Sequence, residues 1–150
     1  MLAILRNIIN KIKLEGYDCN FIIGTKEQIS HNDSEVPMFR FDPPRITKTP
    51  NTYDKVIQLN YIIGYHSEQN TNDIDTTDTN INTLEVMNDL FVYLLRSYTN
   101  SDGQQIYEVT DNYTEEHFYD FQILGHPTTG ILVSIQLKQI NIKFCTWETT

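Results

Sequence analysis

Apolar residues recur every three or four positions at the start of the chain, at Leu2, Leu5, Ile9 and Ile12, with Ile8 beside them. That spacing draws one apolar face along a helix over about residues 2–14. Lys11 and Lys13 fall near its end, where the helix dipole favours cations, and Gly16 can supply a left-handed cap. The period then becomes two. Tyr17, Cys19, Phe21 and Ile23 alternate with Asp18, Asn20, Ile22 and Gly24, the mark of a strand with one apolar face. Phe39 and Phe41 flank Arg40 in a short second strand, which Asp42-Pro43-Pro44 must end because proline brings no ladder donor. Residues 43–54, with Pro43, Pro44, Pro50 and Asn51, predict an extended loop.

The strongest strand of the first half spans 55–66, with Ile57, Leu59, Tyr61, Ile63 and Tyr65 on one side. Its other side mixes Val56, Gln58, Asn60, Ile62 and His66, which predicts partial cover. Residues 67–80 carry Glu68, Asp73, Asp75 and Asp78 with no basic residue, and read as a long acidic loop. A second helix follows over 84–98, about 22 Å long, with the stripe Leu84, Met87, Leu90, Phe91, Leu94, Leu95 and Tyr98. Asn82 and Glu85 have capping-box spacing, and Ile81 and Val86 can close a hydrophobic staple. Asn100-Ser101-Asp102-Gly103 supplies turn chemistry beyond it.

The last third is strand-like. Residues 104–110 and 117–124 read as two strands, and 125–130 as a turn through His126-Pro127. Ile131, Val133, Ile135 and Leu137 then alternate cleanly, before the phase flips to Ile140, Ile142 and Phe144. A flip of one residue predicts a bulge near Lys138 and Gln139. The order gives an α+β fold: a mainly antiparallel sheet, with an N-terminal helix and a central amphipathic helix packed on one face. It is read as a single domain over 1–150, with long loops at 43–54 and 67–80 and an extended tail at 139–150.

The formal net charge is −9, from 11 basic and 20 acidic residues. That balance argues against a protein that grips nucleic acid, whose affinity comes from Lys and Arg. The N-terminal segment has no continuous apolar core or small-residue cleavage site, and no run reaches the ~20 apolar residues of a membrane span. Cys19 and Cys145 lie too far apart for a zinc pattern and in apolar stretches, so reduced, structural thiols in a cytosolic setting are expected.

The search for chemistry predicts no catalytic residue, no cofactor and no metal. The glycines are scattered singly, without a phosphate loop, and read as turn or cap residues. His31, His66, His117 and His126 read as solvated; Glu115-Glu116-His117 alternate across a strand and so do not converge. Counted from Asp73, the sixth and twelfth positions are Asp78 and Leu84, where a calcium loop needs glycine and glutamate. Most aromatics sit at alternating strand positions and belong to the core. The candidate subunit-interface residues are Glu68, Asp73, Asp75 and Asp78 in the acidic loop, with Tyr107, Tyr113 and Trp147. Tyr119 joins the tyrosines whose exposure matters.

The arrangement resembles the tail-terminator and neck (head-tail connector) proteins of tailed bacteriophages. The likeness rests on the N-terminal helix ending by Gly16 and the strand Lys-Val-Ile-Gln-Leu-Asn-Tyr-Ile-Ile-Gly-Tyr-His at 55–66. A polar loop then precedes the helix Thr-Leu-Glu-Val-Met-Asn-Asp-Leu-Phe-Val-Tyr-Leu-Leu-Arg at 83–96, and Gly-Ile-Leu-Val-Ser-Ile-Gln-Leu closes the pattern at 130–137. It implies a non-enzymatic virion protein of the tail or neck, assembled in the host cytoplasm. Its partners would be copies of itself in a hexameric or dodecameric ring and neighbouring neck or tail-tube proteins. DNA would pass through without sequence-specific contact, which suits an acidic chain. Two other readings stand beside it. One is a small cytosolic ligand-binding protein or enzyme, with Tyr61, Tyr65 and Tyr119 around a pocket between sheet and helices. The other is a virus-encoded inhibitor of a host protein.

Overall fold

The structure, a computed structural model, describes residues 1–23, 37–49, 51, 54–66, 74–123 and 126–141. Helix α1 spans Leu2–Leu14 and buries Leu5, Ile8, Ile9 and Ile12 of the stripe read from the sequence, while Leu2, its first member, is exposed. It ends in a Schellman arrangement. Gly16, at φ +99°, donates to the carbonyl of Lys13, and Tyr17 donates to that of Ile12. Strand β1 (Asn20–Ile23) lies parallel to β2 (Met38–Phe41). Parallel neighbours need a connection of a dozen or more residues, and 24–37 is long enough to be one.

Strand β3 (Arg45–Thr49) forms where an extended loop is expected. Pro44 and Pro50 bracket this segment rather than interrupt it, so every residue between them keeps its N–H. The segment pairs antiparallel with the start of β4 (Asp54–His66), Arg45 facing Gln58 and Thr49 facing Asp54. Helix α2 runs Ile74–Arg96, about 35 Å, beginning well before the expected site. Its first two turns are polar and acidic, which helix dipoles tolerate but hydrophobic periodicity does not report. Asn82 is therefore an interior residue rather than a cap. Ile81 is the first buried residue of the core stripe, and Val86, the supposed staple partner, is exposed.

Strand β5 (Tyr107–Ile123) is one seventeen-residue strand, not two, and β6 (His126–Gln139) begins inside the expected turn. The sheet order is β1-β2-β4-β6-β5, with β3 also on β4. The irregularity lies in β5, between Val109 and Tyr113 and between Phe118 and Phe121. The expected bulge at Lys138 and Gln139 is absent: both pair in unbroken register with Val56 and Lys55. The phase flip instead marks the strand's end, where Asn141 takes φ +52° and Ile140 donates to Ile106.

Both helices cover one face of the sheet. Phe39 and Phe41 of β2, Tyr61 of β4 and Phe91 of α2 stack there, with Phe91 5.0 Å from Tyr61 and 5.5 Å from Phe41, centroid to centroid. Aliphatic residues of α1, β4 and β6 complete the core. Gly64 and Gly130 oppose each other in the β4–β6 ladder, which corrects their reading as turn residues. A Cβ on Gly130 would sit 2.2 Å from the Ile63 carbonyl oxygen, so the close approach of two backbones requires glycine there. Between α2 and β5, the Asn100 side chain accepts hydrogen bonds from the amides of Asp102 and Gln104, as the expected turn demands.

Candidate functional site

Helix α2 turns the stripe Ile81, Leu84, Asn88, Phe91 and Leu95 toward the sheet, all buried. Asn88 is the polar member, and its amide is fully engaged. Tyr61 donates its hydroxyl to Asn88 Oδ1 at 2.6 Å. Asn88 Nδ2 donates to Tyr113 Oη at 2.7 Å and to Glu115 Oε1. Tyr113 in turn donates to Glu115 Oε1 at 2.5 Å. Every donor points the same way, from the core outward, and the chain ends on an exposed carboxylate. Burial pushes the Tyr61 phenol well above its ordinary value, with Tyr113, Glu115 and Asp89 adding to it. Burial also raises Tyr113, reinforced by its bond to Glu115. Both phenols keep their protons, as this direction of donation requires.

Beside this network an open groove of about 470 Å³ lies between α2 and β5, lined by Asp89, Val92, Tyr93, Arg96, Val109 and Tyr113. One turn earlier on the helix, Glu85 Oε1 lies 2.9 Å from His117 Nε2 of β5. A second groove, about 460 Å³, separates α1 from β1 at the far edge of the sheet, with Arg6 and Lys13 in its wall. The Arg6 guanidinium stands over the Phe21 ring, 5.9 Å from its centroid. The sheet face away from the helices carries a polar ladder. Gln58 donates to Ser134 at 2.7 Å, Ser134 to Asn60 at 2.8 Å, and Thr110 to Gln136 at 3.1 Å.

The structure separates the expected interface residues. Glu68, Asp73 and Trp147 lie outside the described residues. Asp75 falls in the first turn of α2, and Asp78 is exposed on the same helix rather than in a loop. Tyr107, expected at the surface, is buried, with its hydroxyl 3.6 Å from Met1 Sδ. Tyr113 is half-buried in the network, and Tyr119 is exposed. Tyr61 is a core residue, as the strand alternation predicts, and not the wall of a ligand pocket that the alternative reading placed there. His117 is exposed, as expected, with its Nε2 against Glu85, while His31 lies outside the described residues. Cys19 is a buried free thiol, pushed up to about 11 by burial, with Lys13 pulling the other way. Such a thiol is a poor nucleophile near neutral pH.

Asn88 escaped the sequence reading, and Glu115 entered it only within a carboxylate–histidine cluster that was set aside. An amide at a position where the α2 stripe demands an apolar residue was the available signal for Asn88. For Glu115 none existed, because its role depends on the bulge that sets β5 register. Among the described residues, no group of three or more His, Cys, Asp or Glu is placed to hold a metal ion. Likewise no helix there is long and apolar enough to cross a membrane. No known family model matches the chain, and a search of curated proteins returned no match. In this arrangement hydrogen bonds fix a long strand to a helix, and a groove with Tyr93 and Tyr113, one carboxylate (Asp89) and one guanidinium (Arg96) in its wall lies along the junction.

Proposed function

We propose that this chain is a structural virion protein that builds a homo-oligomeric ring at the neck or tail end of a tailed bacteriophage. The observation that carries the reading is the sheet order, in which β1 and β5 end the sheet on opposite sides. Among the described residues the sheet ends on two different strands, and one rigid body with two different edges suits head-to-tail contact between copies, which closes into a ring when the rotation permits. The helix-covered sheet supplies the rigid body. The Tyr61–Asn88–Tyr113–Glu115 chain holds the long end strand against it, so that a neighbour would meet a fixed surface. The order of helices and strands within 1–138 supports the same reading, although a fold hosts many functions and the weight rests on the edges.

Light scattering behind size exclusion, over a concentration series, tests this. The expected result is one closed species of six or twelve copies, with rings of uniform diameter by negative-stain microscopy. A strict monomer at every concentration overturns it and favours a ligand-binding protein. An open-ended distribution of sizes also overturns the closed ring.

A further inference from the structure

Among the described residues the two ends of the sheet differ in charge. Strand β5 carries Glu108, Asp111, Glu115 and Glu116, all exposed, and no Lys or Arg along its length. Beside it, α2 presents Glu85 and Asp89, with Arg96 the basic residue of the helix. At the opposite end, α1 carries Arg6, Lys11 and Lys13 and no acidic residue. Lys11 faces another way, over the Tyr98 ring at 5.7 Å. Arg6, Asn10 and Lys13 are spaced to share one side of α1, and they line the groove along β1 together with Phe21. Glu15 and Asp18 follow α1 in the chain but do not line that groove. Farther along the same side, the exposed strand β3 adds Arg45 and Lys48.

The layers match as well as the signs. Both helices lie on the same face of the sheet. Arg6 and Lys13 flank β1 in that helical layer, while Glu85 and Asp89 flank β5 in it and Glu115 of β5 turns toward it. Moving one copy sideways until its β1 edge approaches the β5 edge of another brings helical layer to helical layer and cation to carboxylate. A two-fold arrangement would instead bring β5 to β5, carboxylate against carboxylate, or β1 to β1, cation against cation.

We infer that the acidic β5–α2 edge of this protein docks against the basic α1–β1 edge of a second copy. The partner is thus a copy of the same chain, and the contact is heterologous: acidic strand and helix against Arg6, Lys13 and the open groove beside Phe21. This rests on the ring reading above and names the surfaces that reading needs. Paired charges of this kind govern orientation and register more than they govern total affinity, the rest of the contact coming from the half-buried apolar lining of the two grooves.

The test uses the full chain and two double variants at exposed positions. One reverses the acidic edge in the helical layer (Asp89→Lys with Glu85→Lys); the other reverses the basic edge (Arg6→Glu with Lys13→Glu). Circular dichroism and thermal midpoint identify any variant that fails to fold; single reversals (D89K, R6E) then replace it. Sedimentation equilibrium at 50 mM and 500 mM NaCl reads association. The wild type should associate more weakly at the higher salt. Each double variant alone should associate at least about tenfold more weakly than wild type. Mixed one to one, the two variants should regain assembly, because each reversed edge then meets a complementary one.

If the wild type forms rings that neither variant weakens, the charged edges are not the contact, although the ring reading stands. A dimer disrupted by one variant only, without recovery on mixing, would also overturn the head-to-tail pairing. A wild type that stays monomeric at low salt defeats both readings together.

Discussion

On the helix-covered side of the sheet, β4 and β6 contribute Ile57, Leu59, Tyr61 and Ile63 against Ile131, Val133, Ile135 and Leu137, all buried. On the other side the same strands show Gln58 and Asn60 against Gln136 and Ser134, with Ser134 hydrogen-bonded to both Gln58 and Asn60. The strands alternate between these faces residue by residue, so backbone pairing is common to both. What differs is the competitor. Water competes for every hydrogen bond on the open face, whereas the covered face excludes water, and an unmade bond there has no substitute. The covered face therefore holds the stability, and the open face supplies register and solubility.

Removing the shared aromatic anchor tests the contrast most strongly. Phe91→Ala should cost about 3–5 kcal/mol in urea unfolding, because Phe91 meets the rings of Phe39, Phe41 and Tyr61 and leaves a cavity that a helix cannot close. A loss under about 1 kcal/mol would place the core elsewhere.

Next comes the polar member of that face. Asn88→Ala should cost about 1–3 kcal/mol, since it strands the buried Tyr61 hydroxyl. Adding Tyr61→Phe removes the stranded group, so the double variant should lose less than the sum of the two singles. Strict additivity would mean that the hydrogen-bonded chain is not coupled.

Alkali probes the same face by titration. The Cys19 thiol has an ordinary value of 9.0 when unfolded and about 11 when folded, so the folded state holds its proton longer. Its contribution is complete below about pH 9 and is lost as pH rises toward 11, because the unfolded chain binds fewer protons in that window. Tyr61 and Tyr113, both raised above 10.0, extend the decline upward from there. Denaturation midpoints should hold steady to about pH 9 and then fall. In Cys19→Ala the fall should begin nearer pH 10; an unchanged onset would remove the thiol from this account.

The smallest effect belongs to the open face. Ser134→Ala, which deletes the hydroxyl between Gln58 and Asn60, should change stability by less than about 0.5 kcal/mol. A loss above 2 kcal/mol would show that this side is shielded from water after all.

The sequence was legible where one periodicity met one environment. The apolar stripe and Gly16 located α1 and its cap to the residue, and the alternation from Ile57 to Ile63 identified the buried side of β4. Legibility failed where tertiary pairing outweighed local pattern. β3 has no buried residue to betray it, being held by backbone bonds to β4 between two prolines. The first turns of α2 carry no apolar stripe, so the acidic segment around Asp78 looked like loop. The phase change after Gln139 was read correctly as an event and misread as a bulge, because strand termination produces the same signal. Of the candidate site, Tyr113 was singled out from the sequence, but its partners Asn88 and Glu115 become neighbours only when α2 is laid across β5.

The position of β6 has a consequence for the order in which the molecule can be built. Gln58 meets Ser134 across 76 positions of chain, and β6 lies between β4 and β5 although it follows both. During synthesis, β1 to β4 and α2 leave the ribosome with the edge of β4 that β6 will pair bare along its length. The last described strand to emerge joins the two halves of the sheet. Until it arrives, the nascent chain shows an unpaired apolar strand, the condition under which chaperones bind and neighbouring chains aggregate.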